Sequence, residues 1–144
     1  MKNLFRTTVI LSLLLSVFAY ADPKVEESTP IKTTVEQVLA KRAEHDNKVV
    51  EVAGHVVGFR QRTSRIGNAY FTFRLQTKPE TATENRVFLN IYSQGTAPEG
   101  LANGKRVVVT GTYRQEKKMR DFTVKDEVDA SAVEGKPFGV KIVP

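Results

Sequence analysis

The feature that most constrains the fold of this 144-residue chain is a two-residue alternation of apolar and polar side chains. Side chains of a β-strand point alternately to the two faces of a sheet, so this period predicts strands with one buried face. Polar or glycine-containing connections separate the segments that alternate, which are 48–59, 69–76, 86–92, 105–113 and 121–128. The sequence therefore predicts an all-β domain with five strands.

Each predicted strand presents a row of apolar side chains to one face. In the first strand this row is Val50, Val52 and Val56. Gly54 and Gly58 lie on the same face and predict bends in the strand. The inward residues predicted for the other strands are Phe71, Phe73, Leu75, Val87, Leu89, Ile91, Val107, Val109, Phe122, Val124 and Val128. Bent strands with short connections favour a small closed barrel, because closure removes exposed sheet edges.

A helical period precedes the strands, in residues 33–45. Its apolar positions, spaced as on one helix face, are Val35, Val38 and Leu39. The residues that fit a capping box are Thr33 or Thr34 with Glu36 or Gln37. The sequence therefore predicts one short amphipathic helix before the sheet.

Residues 1–21 have the three-part pattern of a secretory signal peptide. Lys2 and Arg6 form a positive start, an apolar run follows, and Ala19-Tyr20-Ala21 supplies the small-x-small cleavage pattern. The alternative is an uncleaved anchor, but the apolar run is shorter than the ~20 residues that a spanning helix needs. We expect cleavage after Ala21, a periplasmic or secreted location and no membrane span in the mature chain.

The predicted mature chain holds one domain, as its length suggests. We expect a flexible, polar lead at 22–32 and a domain at 33–130 that includes the helix. Residues 131–144 form a C-terminal tail to which the pattern assigns no structure.

The composition excludes several classes of chemistry. The chain has no Cys and two His, which removes disulfides, thiolate metal sites and a Cys nucleophile. Neither a nucleophile elbow nor a glycine-rich phosphate loop is present. We therefore expect no enzyme activity, no cofactor and no metal site. The net charge of +6 favours anionic partners weakly.

The strand pattern of residues 46–130 resembles the OB-fold, a five-stranded Greek-key barrel. The motifs that carry the resemblance are Val50-x-Val52-x-Gly54-x-Val56, Phe71-x-Phe73-x-Leu75, Val87-x-Leu89-x-Ile91 and Gly104-x-x-Val107-x-Val109-x-Gly111. The first and last of these are similar to the tRNA anticodon-binding-like branch, which binds nucleic acid, and to small exported bacterial OB-fold proteins. The resemblance is specific for the fold and leaves the ligand open.

Two exported relatives of the fold do not fit this sequence. The haem chaperones use a His followed by Tyr after the last strand, and no His follows His55. The secreted nucleases need clustered carboxylates with catalytic Arg, and neither segment 60–68 nor segment 86–92 contains a carboxylate.

The resemblance implies a ligand surface on the outer face of the second and third strands, flanked by the loops after the first and fourth. On that face the alternation places Tyr70, Thr72, Arg74, Phe88, Asn90 and Tyr92. The predicted loops 60–68 and 114–120 contribute Arg60, Arg62, Arg65, Arg114, Lys117, Lys118 and Arg120. Aromatic rings can stack on bases, and cations can contact phosphates.

We therefore expect a non-catalytic exported protein that holds an extended anionic ligand, such as single-stranded nucleic acid or another polyanion. The alternative is an envelope interaction module that binds a protein, a glycan or a small ligand. A third interpretation gives these residues no binding role: the aromatic side chains cover apolar surface, and the cationic side chains are ordinary solvated charges. The carboxylates Asp126, Glu127 and Asp129 are expected to form a solvated acidic end, and His55 an ordinary strand residue.

Overall fold

The computed structural model describes residues 29–79 and 87–144. Its elements in chain order are β1 (Ile31–Thr33), α1 (Val35–Ala40), α2 (Arg42–His45), β2 (Val49–Thr63), β3 (Ala69–Gln76), β4 (Leu89–Gln94), β5 (Arg106–Lys118), β6 (Thr123–Asp129) and β7 (Gly139–Ile142). The predicted signal peptide, most of the predicted lead and the connection between β3 and β4 at 80–86 lie outside the described residues.

Five strands form a closed ring of hydrogen-bonded neighbours. The sheet order is β1-β2-β3-β4-β6-β5-β7, and β2 also pairs with β5. Around the ring the pairings are antiparallel, except that β4 and β6 run parallel. The all-β prediction is confirmed. Strands β1 and β7 raise the number of described strands to seven, and β1 pairs with β2 in parallel.

The core lies inside this ring. The most deeply buried strand side chains are Val50, Val52, Val56, Leu75, Leu89, Ile91, Val107, Val109, Tyr113 and Val128, and Val35 and Val38 of α1 are equally buried. Burying a side chain of this size stabilises the fold by about 1.5–3 kcal/mol. Three predicted inward residues are outside the core. Val87 is 45% exposed because β4 begins only at Leu89, and Phe122 is 61% exposed because it lies in the turn before β6. Val124 is half-buried and does not belong to the core.

Glycines bend the long strand β2, as the sequence predicts. Gly58 has a φ of 65°, and the register with β3 shifts between Val57 and Arg60, as in a β-bulge. At Gly54 the neighbouring strand comes so close that a Cβ atom would lie 2.6 Å from the carbonyl oxygen of Gln76. Strand β2 can therefore pair with β5 through its first half and with β3 through its second half.

The two predicted basic loops are largely strand, which corrects the expectation for segments 60–68 and 114–120. Strand β2 continues to Thr63 and β5 to Lys118. Only Arg65 and Arg120 of the predicted loop cations lie in turns. The outer arms of β2 and β5 extend beyond the core, so they lack an apolar face. Their backbones nevertheless remain paired with β3 and β6.

The predicted helix is present but interrupted. The Gln37 amide donates to Thr34 Oγ1 at 3.2 Å, which confirms Thr34 as the N-cap. Lys41 has a φ of −130°, so the segment forms α1 and α2 instead of one helix. Residues 31 and 32, predicted to be lead, belong to β1. This strand is held by backbone pairing while Ile31 stays 39% exposed, so no apolar pattern signalled it.

The predicted tail contains the last strand. β7 pairs antiparallel with the first half of β5, and Val140 and Ile142 pack against the core. Over the two described ranges, no helix has the length and apolar character needed to cross a bilayer.

Candidate ligand-binding groove

A groove crosses the outer face of β3 and β4. One wall is the outer arm of β2, and the other is the hairpin of β5 and β6. The groove consists of two depressions of about 500 and 460 Å³. The residues that line both depressions are Arg62, Thr72, Val124 and Glu127. Because the two share these residues, they form one continuous concave surface.

The register of β3 and β4 places alternate side chains on the groove floor. Thr72 lies opposite Tyr92, and Arg74 lies opposite Asn90. Directly opposed residues of an antiparallel pair point to the same face, and Phe71, Phe73 and Leu75 point into the core. The floor is therefore the polar face of two strands whose other face is buried.

Two tyrosines form the aromatic part of the groove. The rings of Tyr70 and Tyr92 lie 5.7 Å apart between centroids, with an angle of 34° between their planes. Both residues are half-buried, so each ring is partly supported by the sheet and partly accessible. Beyond this pair the surface continues into a further hollow of about 760 Å³ beside the turn at 64–68. This arrangement suits an extended ligand with planar groups.

Cationic side chains line both walls and the floor. Arg60 and Arg62 lie on the arm of β2, and Arg74 lies on the floor. Lys117 and Lys125 lie on the opposite wall. The Arg74 guanidinium carbon lies 5.2 Å from the centroid of the Phe88 ring. This cation–π contact holds the guanidinium at the end of the groove away from the tyrosines.

A buried carboxylate lies among these cations. Glu127 is 6% exposed, and its Oε1 atom accepts a hydrogen bond of 3.1 Å from Lys117 Nζ. The same Nζ atom lies 4.9 Å from the centroid of the Tyr92 ring. The expected solvated acidic end is therefore wrong for Glu127, which lies in the groove wall with its charge paired.

The backbone of β6 explains why Glu127 lies there. Asp126 has a φ of 51°, which interrupts the alternation of the strand. In an uninterrupted strand, residues three apart lie on opposite faces. Here Val124 and Glu127 both line the groove.

Asp126 is held by two partners behind the groove. Its Oδ1 atom accepts hydrogen bonds from the Tyr113 hydroxyl at 2.6 Å and from Arg42 Nε at 2.9 Å. Burial raises the pKa of Tyr113, and the bond to Asp126 raises it further. The bond to Asp126 also raises the pKa of Arg42. The side chain of Asp126 is mostly buried, so it too differs from the expected solvated acidic end.

The structure brings part of the predicted site together. The predicted residues that line the groove are Arg60, Arg62, Tyr70, Arg74, Tyr92 and Lys117. Phe88 lies at its edge, in contact with Arg74. The predicted residues that are exposed and line neither depression are Arg65, Arg114, Lys118 and Arg120.

Of the groove residues on the β5–β6 hairpin, Lys117 was predicted from the sequence and the others were not. Val124, Lys125 and Glu127 line the groove, and Met119 and Phe122 lie at its aromatic end. One signal was present: Asp126 occupies a position in register with the apolar Phe122, Val124 and Val128, where a carboxylate needs a buried partner. That partner, Tyr113, is visible only in the fold.

His55 lies outside this site. Its Nδ1 atom lies 3.1 Å from the carbonyl oxygen of Thr77, at the end of β3. The contact fits a strand histidine that ties two adjacent chain segments together.

No family model matches the chain. The chain is 31% identical over 121 residues to fibrous sheath-interacting protein 2 of the mouse, Mus musculus. The match covers 82% of this chain and spans about 2% of the length of that protein. The similarity therefore concerns a small part of a much longer chain.

Proposed function

We propose that this chain is a non-catalytic, exported OB-fold protein whose groove holds an extended anionic ligand, with single-stranded nucleic acid as the ligand typical of the fold. The observation that carries the proposal is the convergence of the Tyr70–Tyr92 pair with five cationic side chains on one concave surface.

The strand connections support the OB-fold. Strands β2, β3 and β4 are consecutive antiparallel neighbours, and β5 returns through residues 95–105 to pair with β2. This is the arrangement of a Greek key. The groove lies over the second and third strands of the ring, where OB-folds bind oligonucleotides and oligosaccharides. Fold alone does not determine a ligand, so the chemistry of the groove must support the rest.

That chemistry fits a chain of charged and planar groups. A base stacked on an aromatic side chain contributes roughly 1–3 kcal/mol, and the tyrosine pair offers partly accessible rings for this purpose. Among the described residues the groove has five cations and one carboxylate, Glu127, which Lys117 already neutralises. The cations are Arg60, Arg62, Arg74, Lys117 and Lys125. Phosphate contacts of this kind release counterions and make affinity fall as salt rises.

Export is part of the proposal, since residues 1–21 carry the signal pattern. N-terminal sequencing of the protein recovered from an export-competent host tests it. We expect the mature chain to begin at Asp22. A chain that retains its first residues would contradict cleavage.

The proposal is tested by titrating the protein with labelled single-stranded DNA at low and physiological salt. Substitution Tyr92→Leu removes the ring while keeping apolar volume, and we expect about tenfold weaker binding. The matched control is Phe138→Leu, because Phe138 also carries a lysine over its ring, with Lys136 Nζ at 5.4 Å, but lies outside the groove. Absence of binding at low salt would overturn the proposal.

A second candidate is docking of a protein partner, as an envelope interaction module would do. The observation that favours it is apolar exposure at the hairpin tip, where Phe122 is 61% and Met119 45% exposed. Patches of this kind mark interaction surfaces when they are contiguous. Binding of a protein there would depend on Phe122 and be much less sensitive to salt than binding of a polyanion.

A further inference from the structure

A carboxylate inside a cationic groove is the feature that the proposed function leaves unexplained. Glu127 lines both depressions and is 6% exposed. A negative charge at this place repels phosphate, so it does not add to the affinity for a generic polyanion. Its effect must therefore lie in which ligand groups the groove accepts.

The hydrogen-bonding capacity of Glu127 is only partly used. An ionised carboxylate has two oxygens and about four acceptor positions. Across residues 29–79 and 87–144, Lys117 Nζ supplies the one hydrogen bond to its carboxylate, and this bond goes to Oε1. The carboxylate can therefore accept a further donor from a ligand in the groove.

The carboxylate lies close to the surface on which a base would stack. Lys117 Nζ is 3.1 Å from Glu127 Oε1 and 4.9 Å from the centroid of the Tyr92 ring. One ammonium group therefore separates the carboxylate from the ring. Tyr92 and Glu127 line the same depression, so a base stacked against Tyr92 lies within the part of the groove that Glu127 lines.

A carboxylate distinguishes the two pyrimidines of DNA at the edge of the base. Cytosine carries an amino group at N4, which donates, whereas thymine carries the oxygen O4 at the same position, which accepts. Ionised Glu127 accepts only, so it attracts the first group and repels the second. Glutamate accepting from cytosine N4 is a known mode of base recognition.

We infer that Glu127 is a specificity-determining residue that makes the groove prefer bases with an exocyclic amino group, and cytosine over thymine in particular. This inference rests on the proposed function. Stacking and phosphate contacts supply the binding energy, and Glu127 discriminates between the bases.

The test measures binding of the protein to oligo-dC and oligo-dT of equal length at neutral pH. We expect wild-type protein to bind oligo-dC about tenfold more tightly, as for one hydrogen bond to a charged group. Glu127→Gln should bring the two affinities within about twofold and leave oligo-dT bound at least as tightly, because a negative charge is lost. The matched control is Glu116→Gln, which removes the same charge from an exposed position on β5 and should preserve the preference.

A second variant at this position keeps the test valid if Glu127→Gln does not fold. Glu127→Asp keeps the charge but retracts the carboxylate by one methylene, so the preference should fall while the salt dependence stays unchanged. Equal binding of both oligonucleotides by wild-type protein would overturn the inference and leave the proposed function intact, as would a preference that survives both Glu127 variants. Failure to bind either oligonucleotide would overturn the proposed function itself.

Discussion

The hydroxyl of Tyr113 donates a hydrogen bond of 2.6 Å to Oδ1 of Asp126, and this pair joins β5 to β6 behind the groove. Tyr113 is fully buried, and Asp126 also receives the guanidinium of Arg42 from α2. Three elements therefore meet at one carboxylate. Since the left-handed backbone of Asp126 allows both Val124 and Glu127 to line the groove, this contact positions one groove wall.

Removing the hydroxyl should destabilise the protein. We expect Tyr113→Phe to lower the free energy of unfolding by about 1–2 kcal/mol, because a buried bond to a charged acceptor is lost while the ring remains. Urea unfolding measures this change. The control is Tyr92→Phe, on the half-exposed groove floor, which should change stability by less than about 0.5 kcal/mol. Equal effects of the two substitutions would contradict the role given to Tyr113.

The same hydroxyl should make stability sensitive to alkaline pH. Burial and the bond to Asp126 raise the pKa of Tyr113 above the ~10 of an unfolded tyrosine. The contribution of the hydroxyl to the free energy of unfolding is therefore complete below pH ~10. This contribution is lost as the pH rises further, by at most about 1.4 kcal/mol per pH unit. The unfolding free energies of wild type and Tyr113→Phe should converge above pH ~10. Parallel curves for the two proteins would rule out this linkage.

Two arginines three positions apart in the sequence should differ in their effect on binding. Arg62 lines both depressions, whereas Arg65 lies in the exposed turn and lines neither. Arg62→Ala should weaken binding of single-stranded DNA and reduce the slope of log affinity against log salt by about one. Arg65→Ala, with the same loss of charge, should have a much smaller effect. If both variants behave alike, net charge and not the groove governs binding.

The bulge in β2 should depend on glycine. Gly58 has a φ of 65°, a conformation that costs a residue with a Cβ about 1–2 kcal/mol. We expect Gly58→Ala to lower the thermal unfolding temperature and to weaken ligand binding, because the arm that carries Arg60 and Arg62 follows the bulge. Gly58→Asn should lose less stability, since asparagine tolerates this backbone region better. An alanine variant as stable as wild type would show that the arm does not need the bulge.

The faces of the strands and most of the core can be predicted from the sequence alone. Alternation in 69–76 and 86–92 predicted that Phe71, Phe73 and Leu75 are inward and that Tyr70 and Tyr92 share an outer face, and the structure agrees. This information is local, because a strand buried on one face must repeat with period two. The sequence also limited the N-cap to Thr33 or Thr34 and predicted the bend at Gly58; the structure shows that Thr34 is the cap.

The groove walls, in contrast, depend on contacts between segments that are distant in the sequence. The arms of β2 and β5 have no buried face, so nothing in their side-chain pattern distinguishes them from loops, and the hydrogen bonds that make them strands come from β3 and β6. The burial of Glu127 likewise depends on Asp126, whose partners Tyr113 and Arg42 are remote in the chain. Periodicity records how one segment meets the core. It does not indicate which distant segment hydrogen-bonds to a backbone amide or a carboxylate, so these partners are visible only in the folded chain.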